Sequence, residues 1–328
     1  LSFQRLEINE HFWGEKIHQA IERRKRLGLI NNQGTNAFRL IHGEGDDLPG
    51  LIADYYNGLV VMQCHSAGMY LNKEMIAHIL KNELHGIKAV YNKSKATLPP
   101  RFQNFNEDGF ILGECPSPVE ILENKLHFLV DFKQGQKTGF FLDQRENRKL
   151  LSLFCKDKSV ANLYGYTGGF SVYAAMAGAR QVITVDSSEP ALKLAEKNYL
   201  LNGVENKVEN YQLEIKDFFK NNSRMYDVII LDPPAFAKHI KHRKNAMIHY
   251  KNINAAAIKI LNKGGVLFSF SCSQAISAAE LRQAIFVAAA NSGRRVAILH
   301  QLFQPPDHPV NIFHPEGEYL KGFVLMVD

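Results

Sequence analysis

Asn162-Leu-Tyr-Gly-Tyr-Thr-Gly-Gly-Phe-Ser171, continued by Gln181-Val-Ile-Thr-Val-Asp-Ser-Ser188, is the stretch that decides the fold. Residues 160–164 form a short apolar run suited to a buried strand. Gly165, Gly168 and Gly169 follow at once, where the chain turns sharply and bare backbone can approach a ligand. Residues 170–177 are small and apolar, as in a helix packed on a sheet, and Gly178 stops them. A second strand at 182–186 then ends on Asp186, an acid placed to accept hydrogen bonds from ribose hydroxyls. Strand, glycine turn, helix and acid-ended strand together make a nucleoside half-site, although such a turn can also be a plain connection.

The glycine spacing narrows the nucleoside. A dinucleotide site needs Gly-x-Gly-x-x-Gly so that a pyrophosphate can sit on the helix N-terminus. Gly165-x-x-Gly168-Gly169 does not supply that pattern. S-adenosylmethionine, with a ribose and no phosphate, fits better than NAD. Its candidate contacts here are Tyr164, Gly165, Thr167, Gly168, Gly169, Asp186 and Ser187.

Strand and helix signals alternate from this point onward. Strands are expected at 160–164, 182–186, 208–212, 228–232, 266–271, 296–301 and 320–327, with helices at 191–201, 246–261 and 278–290. Ser277-Ala-Ala-Glu280 fits a capping box at the start of the last helix. Such alternation implies an α/β fold with a parallel sheet covered on both faces. Tyr226-Asp-Val-Ile-Ile-Leu-Asp232-Pro-Pro runs an apolar strand into an acid and two prolines at the sheet edge where ligands bind. Asp232 and Pro233 are therefore site candidates, and Phe236 is placed to stack on a base. Lys238, Lys241, Arg243 and Lys244 follow as a phosphate-contacting loop would.

Phe270-Ser271-Cys272-Ser273 ends the next strand and brings a thiol to the same edge as Asp232. A free cysteine is usually a small buried hydrophobe, the expected state of the other three. Thiolates, however, are strong nucleophiles. Cytosine C5 cannot accept a methyl group unaided. Addition of a thiolate to C6 makes C5 enamine-like, and the reaction needs one cysteine, an acid at the N3/N4 edge and a methyl donor over C5. Cys272, Asp232 and the glycine turn would supply these.

The first hundred or so residues differ in character. Residues 10–27 form an amphipathic helix with Trp13, Ile17, Ala20 and Ile21 on one face. Short strands at 38–41, 51–55 and 59–63, the last two joined at Asn57-Gly58, precede a helix at 72–84 and a strand at 89–92. The polar stretch after Leu98-Pro-Pro100 is expected to be a loop. A hairpin around Asn124 leads to Phe132-Lys-Gln-Gly-Gln-Lys-Thr-Gly-Phe-Phe-Leu-Asp-Gln-Arg145. This loop can close over a cofactor with Phe140 or Phe141 against a flat ring and Asp143, Gln144 and Arg145 beside it, or it can be a linker with a hydrophobic plug.

The 328 residues suffice for two cores, and the 45% apolar fraction is that of a globular protein. No apolar run approaches membrane-spanning length. Cys64, Cys115, Cys155 and Cys272 are far apart, which argues against zinc and disulfides and for a reducing cytoplasm. A net charge of +6 permits nucleic acid as a partner. Arg23-Arg24-Lys25-Arg26 and Arg294-Arg295 are expected to be solvated. The chain begins on Leu1 rather than Met, so a preceding segment is expected.

Together these motifs resemble the PUA-domain-bearing bacterial 23S ribosomal RNA cytosine-C5 methyltransferases. The matching elements are Lys137-Thr-Gly-Phe-Phe-Leu-Asp-Gln-Arg145, Tyr166-Thr-Gly-Gly-Phe170, Val185-Asp186, Asp232-Pro-Pro234, Phe270-Ser-Cys-Ser273, Leu48-Pro-Gly50, and Asp307-His-Pro-Val310 with Tyr319-Leu-Lys-Gly322. The resemblance implies a Rossmann-like class I methyltransferase domain with a seven-stranded sheet, its last strand antiparallel, over residues 116–328 with the hairpin as lead-in. A small α+β domain at 10–115 would precede it, and residues 1–9 would be the remnant of, or the linker from, an N-terminal PUA domain. It further implies that Cys272 is the nucleophile, that Asp186 and Asp217 hold the ribose and adenine ends, and that Asp232 lies between cofactor and base. Implied partners are 23S ribosomal RNA or a large-subunit assembly intermediate, and a homodimer is possible. The alternatives are ribosomal guanine-N7 methylation, which needs no cysteine, and a non-catalytic factor that binds S-adenosylmethionine and RNA in ribosome assembly.

Overall fold

A computed structural model describes residues 7–103, 107–237 and 240–328, and the chain divides into two compact units. The first comprises Leu1–Asp143 with Pro305–Gly317, the second Gln144–Gln304 with Glu318–Asp328. The boundary thus falls at 143/144 and not at 115/116. Its physical cause is the docking of the hairpin β6 (Val119–Glu123) and β7 (Leu126–Val130), placed after five strands named below. Asn36 N–H donates to Leu122 O at 3.0 Å, and Lys125 N–H donates to Gly34 O at 2.6 Å. Thr35 Oγ1 accepts from Asn124 N at 2.9 Å.

The first unit is built on a sheet in the order β1 (Ala37–His42), β2 (Leu51–Tyr56), β3 (Leu59–Cys64), β4 (Ala89–Asn92) and β5 (Gly109–Leu112). Asn57 and Gly58 carry φ of 49° and 98°, the two left-handed residues that a two-residue hairpin turn demands. Strand β5 and a short helix, Pro100–Gln103, occupy part of the stretch expected as loop. Gly109-Phe-Ile-Leu112 is too short to announce itself, and its pairing with β4 supplies what its sequence lacks. Helix Glu10–Arg26 begins at Asn9, whose side chain accepts from Phe12 N, and it buries Trp13, Ile17, Ala20 and Ile21 as expected.

Arg24 departs from the solvated reading. It is fully buried, and its guanidinium donates to Arg39 O at 2.7 Å, Asp46 Oδ1 at 2.5 Å and Asp307 O at 2.7 Å. Asp54, also buried, takes a bidentate pair from Arg39 at 2.7 and 2.9 Å. A buried charge survives only when paired and hydrogen-bonded in this way. Arg294, half-buried, donates to the carbonyls of Ile258 and Leu261 at 2.8 and 2.6 Å.

The second unit carries β8 (Ser159–Leu163), β9 (Gln181–Asp186), β10 (Val208–Gln212), β11 (Tyr226–Leu231), β12 (Leu261–Ser271), β13 (Val296–Phe303) and β14 (Lys321–Val327). Their order is β10-β9-β8-β11-β12-β14-β13. The first five run parallel, and β14 is antiparallel to both of its neighbours. The expected α/β class and seven strands are present. Valine, isoleucine and leucine fill the central strands because helices cover both faces. The capping box at Ser277 and Glu280 forms as its sequence requires.

Candidate active site

Strand order reverses between β8 and β11, and the crevice at such a switch point is where open α/β sheets bind ligands. The carboxyl ends of β8, β9, β11 and β12 deliver Tyr164, Asp186, Asp232 and Cys272, respectively, to this one edge.

The turn after β8 is set from below. Tyr164, Tyr166 and Gly168 have φ of 60°, 47° and 75°. A Cβ on Gly165 would lie 2.3 Å from Thr184 Cγ2, and one on Gly168 would lie 2.6 Å from the Tyr199 ring. Glycine is needed because the turn rests on a buried polar relay. Asn162 Nδ2 donates to Ser171 Oγ at 2.9 Å, which meets Thr184 Oγ1 at 2.7 Å, which meets the Tyr199 hydroxyl at 2.8 Å. Asn198 Nδ2 holds Thr167 O at 2.9 Å. Gly168 caps helix Gly169–Met176 without any side-chain bond to the helix.

Asp186 accepts one backbone bond on each oxygen, from Tyr166 N and Ser188 N, both at 2.9 Å. An ionised carboxylate has about four lone-pair positions, so each oxygen retains acceptor capacity toward a diol. Ser187 beside it is exposed. Burial first, then Glu214 and Asp186, push the Tyr164 phenol up to about 12, so it remains a neutral hydroxyl. Asp217 lies half-buried in the first turn of helix Ile215–Asn221, which follows β10.

Asp232 is oriented by a chain of amides. Gln144 Nε2 donates to Asp232 Oδ2 at 3.0 Å, and Gln144 Oε1 accepts from Asn147 Nδ2 at 2.6 Å. The half-buried Cys272 places Sγ 3.8 Å from Pro233 O, on the turn that begins with Asp232. Ser271 Oγ donates to the Tyr250 hydroxyl at 2.8 Å, and Ser273 Oγ donates to Ala237 O at 2.6 Å. The turns after β11 and β12 are thereby joined to helix Arg243–Lys259. Cys64 and Cys155 are buried as expected, whereas Cys115 is half-buried.

The other candidates are distributed as follows. Phe141 and Asp143 belong to the first unit, where Lys137 Nζ lies 4.7 Å from the Phe141 ring centre and 3.7 Å from Asp143 Oδ2. Arg145 opens helix Arg145–Leu151, buried, with Nε donating to Glu146 at 3.1 Å. Phe236 is half-buried, edge-on to Tyr250 at 4.9 Å and tilted against His249 at 5.3 Å. Lys241 and Lys244 are exposed, Arg243 pairs with Glu280, and Lys238 lies outside the described residues.

Comparison with known proteins bears on the chemistry. Residues 38–314 match the S-adenosylmethionine-dependent methyltransferase family. The chain belongs to that family. Ribosomal RNA large subunit methyltransferase I of Aeromonas salmonicida (strain A449) is 40% identical over 304 residues, 90% of this chain and 76% of the relative. The Klebsiella pneumoniae (strain 342) protein of the same name is 37% identical over 325 residues, 98% of this chain and 80% of the relative. An S-adenosylmethionine-dependent methyltransferase structure from Streptococcus mutans superposes with a TM-score of 0.87, covering 99% of this chain and 83% of that one. At 24% identity it speaks for the fold alone.

The residues of this methyltransferase fit its cofactor. The spare acceptors of Asp186 suit a ribose diol. The Gly168–Gly169 N-terminus suits an anionic amino-acid end, since its first N–H groups lack a side-chain cap. Sequence reasoning missed Asn147, Tyr250, Ser271 and Lys321 around the site. Their types are ordinary, and only the spatial neighbours reveal them.

Among the described residues there is no group of three side chains able to hold a metal ion, and no helix is long and apolar enough to cross a membrane.

Proposed function

We propose that this methyltransferase forms 5-methylcytidine in large-subunit 23S ribosomal RNA through a covalent bond between Cys272 and C6 of the target base. The observation that carries the reading is the half-buried Cys272 thiol on the same sheet edge as Asp232, with Sγ 3.8 Å from the Pro233 carbonyl. The names of the relatives support ribosomal RNA as substrate.

When bound, S-adenosylmethionine supplies an electrophilic methyl group. Asp186 and Asp217 bind its nucleoside, the 165–169 turn its amino-acid end, and Gln144 and Arg145 of the same unit flank the site. The Cys272 thiolate adds to C6, forming the S–C6 bond and moving the C5=C6 pair onto C5. Asp232, held by Gln144, lies at the N3/N4 edge, and a proton donated from its carboxyl to N3 draws electron density from the ring as the adduct forms. Transfer of the methyl group to the C5 pair would break its bond to the donor sulfur and leave S-adenosylhomocysteine; loss of the C5 proton to Asp232 or to water then returns a pair to C5=C6, and the S–C6 bond breaks to release the thiolate. Phe236, Lys241, Arg243 and Lys244 are assigned to the RNA side, with Lys241 and Lys244 exposed and Arg243 paired with Glu280.

A homodimer is supported by β13, an edge strand without a charged side chain, on which Ile298, Leu299 and Phe303 are exposed. The function is tested by transfer of tritiated methyl groups to RNA from a strain lacking the enzyme, followed by nucleoside analysis. Label in 5-methylcytidine is the expected result, and label in any other nucleoside rejects the reading.

A further inference from the structure

Lys321 opens β14 directly opposite Ser271 in the antiparallel pairing with β12. Its backbone therefore stands beside the residue preceding Cys272, at the end of the strand where the thiol emerges. The side chain is 6% exposed, an unusual state for lysine. Its Nζ donates to the carbonyls of Ser273 and Ile276, each at 2.7 Å. Both acceptors lie on the turn that follows Cys272, so the ammonium is pinned to the backbone that carries the thiol. No ion pair between Lys321 and a carboxylate forms among the described residues, and the Glu280 carboxylate is engaged by Arg243 and by the Ser277 cap.

We propose that Lys321 is the charge partner of Cys272, a fixed buried cation that stabilises the thiolate for attack on the base. The proposal rests on Cys272 being the nucleophile. A cation held near a thiol favours its ionised form, and burial strengthens that effect because little water screens it. Burial draws the pKa of Lys321 down, while Cys272, Glu318 and Glu280 draw it back up. Two other groups face this corner. The Tyr250 phenol is pushed above its usual range by burial first, then by Cys272 and Asp232, and stays neutral. An ionised Asp232 carboxylate would disfavour a thiolate beside it. Lys321 supplies the opposing positive charge.

The test reads the thiol itself rather than turnover. In a Cys115→Ser background, iodoacetamide alkylation of Cys272 is followed by peptide mass spectrometry across a pH series. Cys64 and Cys155 interfere little, since burial pushes them up to about 11 and about 12. Lys321→Met is expected to move the alkylation profile of Cys272 to higher pH and to slow the reaction at neutral pH about tenfold, as one unit of thiol pKa would. Lys321→Gln, which retains donors for the two carbonyls but no charge, is expected to do the same. Lys321→Arg is expected to stay close to wild type. A profile unchanged in Lys321→Gln or Lys321→Met overturns the proposal, because the lysine would then serve only to tie the turn. Full methyl transfer by Cys272→Ala would instead reject the covalent reading, whereas the alkylation profiles are read in Lys321 variants that keep Cys272, so the two failures are distinguishable.

Discussion

The roles proposed for Cys272 and Asp186 differ, and substitution separates them. Cys272→Ala removes the proposed nucleophile and leaves the glycine turn and Asp186 untouched. Methyl transfer to RNA is expected to fall by more than about a thousandfold, as for loss of other covalent nucleophiles, with S-adenosylmethionine affinity by calorimetry unchanged. Full activity in that variant would favour guanine-N7 chemistry. Asp186→Ala removes the acceptor proposed for a ribose diol and also releases Tyr166 N and Ser188 N. A hydrogen bond to a charged group contributes about 1.5–3 kcal/mol, so calorimetry should show affinity weaker by about ten- to a hundredfold. The sequence shows both residues plainly, because each ends a strand. It shows Arg24 poorly. Within Arg23-Arg24-Lys25-Arg26 nothing marks one arginine as the buried one, and only its acceptors, on Arg39, Asp46 and Asp307, do so.

Elements of the first unit are joined by that ionic cluster. Asp307 Oδ2 accepts from Arg39 N at 3.0 Å, so the 305–317 segment is tied to β1. His42 and His308 sit in the same cluster with ring centres 5.1 Å apart. Burial first, then Arg39, His308 and Arg24, lower the pKa of His42 to about 2, and burial and Arg39 lower that of His308. Both histidines fold neutral. Above the unfolded value of about 6.5 neither state binds the proton. Below it the unfolded chain takes up protons that the folded chain refuses, so stability is lost as pH falls. For His42 the slope approaches about 1.4 kcal/mol per pH unit, from about 6.5 down toward the folded value. Urea unfolding from pH 7 to pH 5 should show this decline, and His42→Gln should flatten it. Periodicity located the helix and strands of this unit, whereas β5 emerges only from its pairing with β4.

For the whole molecule, the exposed β13 edge bears on assembly. An edge strand with exposed Ile298, Leu299 and Phe303 can pair with a second copy of itself. Sedimentation equilibrium is expected to give a dimer, and Leu299→Lys a monomer with wild-type thermal stability; a wild-type monomer at high concentration would refute it. At this scale the contributions of sequence and tertiary structure separate clearly. By itself the sequence determined the α/β class, the seven strands, the glycine turn after β8 and the placing of Asp186, Asp232 and Cys272 at strand ends. Each of those rests on local physics: apolar periodicity, glycine at a tight turn, an acid or thiol where a strand ends. Tertiary structure alone decided the strand order that brings β8, β11 and β12 to one edge, the unit boundary at 143/144, and the burial of Arg24 and Lys321. A charged side chain is buried or solvated according to the acceptors that folding places around it, and those acceptors lie far away along the chain.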